Sequence, residues 1–232
     1  ADSLTPTERV KKIGELFSHF KNPDKEKVLT PWKVVNLHMS STIGGWNFWN
    51  EKNDSPYANP EYIEIDNITK NIFENNSTEI LEINSKTGLY PLYVTYSIYR
   101  NMINKNNNNL SFSKKKKIWT DIVKNNIFVI CNTPMSKQIT QRTLLGYSQD
   151  NINAHYFKDL VNTMENKPEK FVEKALSGKY WKKGKHMKFD AIIGNPPYSI
   201  KDGGAGASSK PIYQYFIQAA KKLNPRYASF II

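Results

Sequence analysis

The first regular pattern along the chain is helical. In PTERVKKIGELFSHF (6–20), Val10, Ile13, Leu16, Phe17 and Phe20 recur at three- and four-residue spacing, which predicts an amphipathic helix. KNPDKEK breaks it. VLTPWKVVNLHM predicts a second helix, with Thr30 as N-cap, Pro31 in the first helical position and Val34, Val35, Leu37 and His38 following. STIGGWNFWNEKNDSPYANP is turn-rich and aromatic, and reads as an ordered loop around Gly44-Gly45. From residue 79 short apolar runs alternate with helical spacing. EILEI (79–83), NIFVIC (126–131), NINAHYF, FDAIIG and RYASFII read as strands. PLYVTYSIYRNMI, NTPMSKQITQRTLLG (capped by Thr133, ended by Gly146), NKPEKFVEKAL and PIYQYFIQAAKKLN read as helices between them. NMINKNNNNLSFSKKKK reads as a polar surface excursion. Strands alternating with helices predict an α/β fold with a mostly parallel sheet and helices on both faces.

Composition narrows the class. Thirty-three Lys and Arg against twenty-one Asp and Glu give a formal charge of +12, which favours an anionic partner such as nucleic acid. The single cysteine, Cys131, rules out an internal disulfide and fits a reducing, cytoplasmic setting. No CxxC or HExxH pattern occurs, so no dedicated metal site is expected. No apolar run approaches the roughly 20 residues of a membrane span.

Open parallel sheets bind ligands beyond the carboxyl ends of their strands, at the point where strand order reverses. The residues following the strands are therefore the candidates. After FDAIIG come Asn195, Pro196, Pro197 and Tyr198. A residue before proline is held extended, and neither proline donates a hydrogen bond. The turn is stiff, and presents an amide, bare carbonyls and an aromatic ring. Such a set suits a planar base with an exocyclic amine.

Asn-Pro-Pro-Tyr resembles the catalytic loop of amino-group methyltransferases that use S-adenosylmethionine, whose pattern is Asp/Asn/Ser-Pro-Pro-Tyr/Phe. The Asn form is typical of DNA adenine-N6 enzymes, and also occurs in protein glutamine and some RNA guanine methyltransferases. VLTPWKVVNLHM resembles the Thr-Pro segment that precedes the cofactor strand in the gamma arrangement of the adenine-N6 enzymes. EILEINSKTG resembles their first strand and cofactor loop, with Glu82 on the acidic position and Gly88 on the last glycine. Asn84 and Lys86 stand in that loop where the family prefers smaller residues. NIFVICNTPM resembles the second strand, but Cys131 occupies the place of the acidic residue that binds the cofactor ribose, with Asn132 and Thr133 beside it. AHYFKDL resembles the third segment, where Asp159 and Phe157 match the groups bordering the adenine ring. Tyr213 and Phe216, on the helix after the catalytic loop, are candidates to border cofactor or substrate. The aromatic block STIGGWNFWNEKND is similar to methyltransferase regions of large single-chain restriction–modification polypeptides.

The resemblance implies a Rossmann-like, S-adenosylmethionine-dependent methyltransferase domain over 28–232, preceded by a helical segment over 1–27. It implies catalysis by Asn195, Pro196, Pro197 and Tyr198, and a cofactor site drawn from Thr30, Pro31, Glu82, Asn84, Gly88, Cys131, Asn132, Phe157 and Asp159. Its partners would be DNA with a flipped adenine and the remaining domains of a larger polypeptide, because RYASFII falls where the family's fifth strand lies and two further strands and a target-recognition region are expected beyond it. A protein or RNA methyltransferase using the same loop, and a non-catalytic DNA-binding module with a degraded pocket, remain as alternatives. DGGAGASSK (202–210) reads equally as a lid over the base or a flexible connection. KKKK (114–117) and KYWKKGKHMK (179–188) are candidate phosphate contacts.

Overall fold

The computed structural model describes residues 3–20, 29–50, 52, 55–105, 110–200 and 210–232. The helix break in KNPDKEK, the boundary between residues 27 and 28, the Asn106–Asn109 run and the glycine-rich segment 202–209 lie outside the described residues.

Along the chain the elements are α1 (Pro6–Ser18), α2 (Trp32–Thr42), β1 (Gly45–Trp49), β2 (Pro56–Ile63), α3 (Asp66–Phe73), β3 (Ile80–Ser85), α4 (Leu89–Lys105), α5 (Phe112–Asn125) and β4 (Ile127–Cys131). They continue as α6 (Pro134–Leu145), β5 (Asn153–Tyr156), α7 (Leu160–Asn166), α8 (Pro168–Leu176), β6 (Ala191–Gly194), β7 (Ser199–Ile200), β8 (Lys210–Pro211), α9 (Tyr213–Lys222) and β9 (Tyr227–Phe230). Five strands form one parallel sheet in the order β5-β4-β3-β6-β9.

Both faces of the sheet are covered, which is why its strands read as continuous apolar runs. Leu81, Ile83, Phe128, Ile130 and Ile192 pack on one side with Leu160, Phe171 and Phe216 of the later helices. Ile80, Val129, Cys131, Ala191 and Ile193 pack on the other with Val35, Met39, Tyr93 and Trp119. Helices on both faces of a parallel sheet make the fold Rossmann-like.

Three expectations change. Pro31, not Thr30, is the N-cap of α2, with no side-chain cap; the Thr30 hydroxyl is engaged elsewhere. The expected loop around Gly44-Gly45 is an antiparallel hairpin, β1 with β2, followed by α3. Phe48 of β1 is buried against Trp32 and Tyr96, while Pro56 and Pro60 are accommodated on β2, which pairs along one side only. The expected polar excursion holds helix α5, whose buried stripe of Trp119, Ile122 and Val123 begins only after the lysine run.

Helix α1 packs onto the same core through fully buried Val10. Its Arg9 donates to the backbone oxygens of Arg142, Thr143 and Leu144 at the end of α6, satisfying carbonyls a helix terminus leaves open. Among the described residues no helix is long and apolar enough to cross a membrane.

Candidate active site

From β3 the chain steps to β4 and β5 on one side, then returns to β6 and β9 on the other. The reversal lies between β3 and β6, so the ligand crevice of such a sheet is expected beyond their carboxyl ends. The two strands approach closely there. A Cβ on Gly194 would stand 2.6 Å from the Ile83 carbonyl oxygen, so the last residue of β6 has no room for a side chain.

Asn195 follows and is buried. Its Nδ2 donates to Thr30 Oγ1 at 2.7 Å, across 165 positions of sequence. Asn84 Nδ2 donates to its backbone oxygen at 2.9 Å. With both attachments made, Asn195 Oδ1 is left buried without a hydrogen-bond partner. An orphaned acceptor in a low-dielectric site is costly. Here the tether at Nδ2 holds it in one orientation. Pro196 is buried, Pro197 half-buried, and the Tyr198 side chain is exposed.

Glu82 is the second orphan. It is 4 % exposed, and its Oε2 has no partner. Burial pushes the carboxyl up to about 8, opposed in part by the Ser85 hydroxyl and the Lys86 ammonium. Burial likewise lowers the pKa of the half-buried Lys86 ammonium, and Glu82 partly restores it. The loop after β3 is braced by α6. Gly88 has φ +75°, and a Cβ there would meet Thr140 Cα at 3.0 Å. Ser85 and Thr140 share a hydroxyl–hydroxyl hydrogen bond, and Thr143 Oγ1 donates to the Thr87 oxygen. Asn84 stands at φ 71°. A strained backbone tied to its neighbour is common at functional sites.

The other sequence-predicted residues divide. Thr30 and Pro31 line a cavity of about 160 Å³ with Phe17, Phe20, Thr87 and Leu89, next to the Asn195 anchor. Asn132 is exposed at the carboxyl end of β4, and the Thr133 hydroxyl beside it is spent capping α6. Cys131 has no exposed surface, and burial pushes its thiol up to about 12. Strand alternation turns it to the same face of the sheet as Val129 and Glu82, against Ser136 and Thr140 of α6. Phe157 is buried against Phe171 in the opposite cluster, away from any surface on which a ring could lie. Asp159 is exposed at φ 54°, ahead of α7. Asn84 spends its amide on the Asn195 loop rather than presenting it to a ligand. Tyr213 is half-buried and Phe216 is core.

Three residues of this region escaped the sequence reading. His38 Nδ1 lies 2.9 Å from Tyr90 Oη, and its Nε2 lies 2.9 Å from Ser229 Oγ. Tyr90 sits two residues beyond Gly88, a position that is a usable signal; nothing local marks His38 or Ser229. The basic loop offers a further contrast. Lys183 donates to the Lys124 oxygen and Lys185 pairs with Glu79, at the amino ends of the strands and opposite the crevice.

A parallel five-stranded sheet in this order, with an Asn-Pro-Pro-Tyr turn beside the loop of its central strand, defines a Rossmann-like α/β fold. Residues 125–232 match the Eco57I restriction-modification methylase family. A 48-residue stretch is 48% identical to an uncharacterized adenine-specific methylase of Mycoplasma pneumoniae (strain ATCC 29342 / M129 / Subtype 1), covering 20% of this chain and 11% of that protein. Two solved structures are similar: a modification subunit, assigned to a type I restriction enzyme, from Vibrio vulnificus YJ016, and the ATP-dependent Type ISP restriction-modification enzyme LlaBIII bound to DNA. The first aligns at 9% identity and a TM-score of 0.43 over 93% of this chain, the second at 14% and 0.45 over 90%. This chain covers 36% and 14% of them respectively. The family match and the curated relative bear out the resemblance to adenine-N6 methyltransferases read from the Asn-Pro-Pro-Tyr loop.

Proposed function

We propose that this chain carries the catalytic centre of a DNA adenine-N6 methyltransferase in a restriction–modification polypeptide, with its segments in the gamma order and S-adenosylmethionine as methyl donor. The observation that carries the reading is the Asn195 amide, tied at Nδ2 and bare at Oδ1. The N6 amine of adenine is a weak nucleophile because its lone pair is delocalised into the ring. Accepting its two hydrogens at Asn195 Oδ1 and the Pro196 oxygen favours a pyramidal nitrogen. The same dipoles stabilise positive charge as it develops there. Their rigidity means no reorganisation is needed at the moment of reaction. Tyr198, exposed at the loop's end, supplies a face on which an extruded base would stack.

The chain's residues fit the donor. Glu82 Oε2, buried without a partner, suits a ligand bearing hydroxyl or amino hydrogens. In this reading Thr30, Pro31, Glu82, Gly88, Asn132 and Asp159 would hold the donor, which supplies an activated methyl group on a sulfonium. Residues from 28 onward would form the catalytic domain, with α1 as an appended segment. Reading of the DNA target would belong to other parts of the polypeptide.

The test is calorimetric titration of the full-length protein with S-adenosylmethionine, followed by methylation assays on DNA, RNA and release-factor protein. Donor binding with methyl transfer to adenine in DNA is expected. DNA binding without donor binding would indicate a non-catalytic module, and methylation of RNA or protein alone would reassign the substrate.

A further inference from the structure

Beyond the Asn195 loop, a line of hydrogen-bonded groups leads out of the crevice. It begins at Tyr90, which is buried near the amino end of α4, two residues beyond Gly88. Tyr90 Oη meets His38 Nδ1 at 2.9 Å, with the rings edge to face. His38 Nε2 meets Ser229 Oγ at 2.9 Å, and Ser229 Oγ meets Thr42 Oγ1 at 2.8 Å. Thr42 is exposed. The line crosses α4, α2 and β9, elements whose members lie 52 and 191 positions apart in sequence.

Every group on this line can both donate and accept, and at its outer end Thr42 Oγ1 rests donating to the His38 backbone oxygen at 2.8 Å, from which it must turn to reach water. A hydroxyl has one hydrogen and free lone pairs; a neutral imidazole donates at one nitrogen and accepts at the other. Burial lowers the pKa of His38, which keeps the neutral form that such a line requires. A clamp would need no such uniformity, since any donor facing any acceptor would serve.

We propose that Tyr90, His38, Ser229 and Thr42 form a proton exit from the crevice to solvent. The inference rests on the methyltransferase reading above. Methylation of an amine forms a carbon–nitrogen bond, breaks the methyl–sulfur bond with its electron pair passing to sulfur, and leaves the nitrogen cationic with one proton too many. That proton passes to Tyr90 Oη as Tyr90's own proton moves to His38 Nδ1. The proton on His38 Nε2 moves to Ser229 Oγ, that of Ser229 to Thr42 Oγ1, and that of Thr42 to water. One proton enters and one leaves, and His38 ends in the other tautomer. Rotation of the hydroxyls and return of the imidazole proton reset the line.

The experiment uses the full-length protein and its Tyr90→Phe, His38→Ala, Ser229→Ala and Thr42→Val variants. In the unliganded protein, His38 nitrogen-15 shifts should show a neutral imidazole whose Nδ1 signal responds to Tyr90→Phe and whose Nε2 signal responds to Ser229→Ala. In multiple-turnover methylation, Tyr90→Phe and His38→Ala should be slowed about tenfold or more, with donor affinity and the single-turnover rate of methyl transfer within about twofold of wild type. Thr42→Val should slow turnover as well, and Thr42→Ser should restore it, because serine keeps the hydroxyl that hands the proton on. Imidazole in the buffer should restore the His38→Ala rate, and should also restore a solvent deuterium isotope effect lost in that variant. A purely structural role for His38 would leave the isotope effect unchanged. Wild-type rates in Tyr90→Phe and His38→Ala would overturn the relay while leaving the methyltransferase assignment standing. An absence of methylation by the wild type would overturn that assignment and the relay with it.

Discussion

In the proposed mechanism Asn195 concentrates the chemistry in one amide, and its neighbours set which of its two ends is available. Replacing it by alanine should slow methyl transfer about a hundredfold, on the order of 3 kcal/mol in the barrier, while donor affinity is retained. Thr30→Val tests the tether. The valine keeps the shape but offers no acceptor to Asn195 Nδ2, so the amide is free to turn. Single-turnover rates should fall about tenfold in Thr30→Val and recover in Thr30→Ser. Glu82 provides a prediction in pH. Its carboxyl ionises near its ordinary 4.5 in the unfolded chain and near 8 in the folded protein. Below 4.5 both states are protonated and nothing is lost. Between the two values the unfolded state releases its proton first, so stability falls as pH rises, and above 8 the loss is complete. At about 1.4 kcal/mol per pH unit, the total over 4.5 to about 8 is on the order of 5 kcal/mol. Glu82→Gln should therefore unfold at a higher urea concentration than wild type at pH 8.5 and at a similar one at pH 4.

At the scale of elements, the site depends on how closely β6 lies against β3 and how firmly α1 and α6 brace the loop between them. Gly194→Ala places a methyl group 2.6 Å from the Ile83 oxygen, a backbone atom that cannot swing aside. The strands must part where Asn195 begins, so a lower melting temperature and weakened methylation should appear together. Arg9 joins α1 to the last carbonyls of α6 through three hydrogen bonds. Arg9→Met keeps the apolar stem but takes the charged donor from the Thr143 oxygen, while the Arg142 and Leu144 oxygens keep the Gly146 N–H and the Trp119 Nε1. A loss of about 2–3 kcal/mol is expected, measured by urea denaturation.

For the whole molecule the governing quantity is its charge. With a formal charge of +12, the proposed association with DNA would be a counterion-release process. If about four phosphates are neutralised, raising salt from roughly 50 to 200 mM weakens binding about a hundredfold. Fluorescence anisotropy on a labelled duplex at the two salt concentrations checks it, and an affinity indifferent to salt would remove charge as the basis of binding. The lysines are not equivalent in this. Lys183 and Lys185 are held at the amino ends of the strands, opposite the crevice, so charge reversal there should weaken methylation far less than an equal change beside Tyr198.

The sequence by itself determined the local matters. Apolar runs bounded by turn residues marked all five strands of the parallel sheet, because strands buried on both faces need no polar alternation. The Asn-Pro-Pro-Tyr turn after β6 marked the chemistry, because proline stiffness is written in adjacent residues. Where local composition was ambiguous the reading failed: α5 begins in lysines and buries only its later stripe, and the β1–β2 hairpin carries two prolines that a strand tolerates only where its ladder is open. Tertiary structure alone decided the partners. It set β6 beside β3, tied Asn195 to Thr30 and to Asn84, turned Cys131 into the core and joined His38 to Tyr90 and Ser229. Periodicity reports whether a side chain is buried, but which side chain it meets depends on how separate faces pack, and residues 165 apart carry no local signal of their meeting.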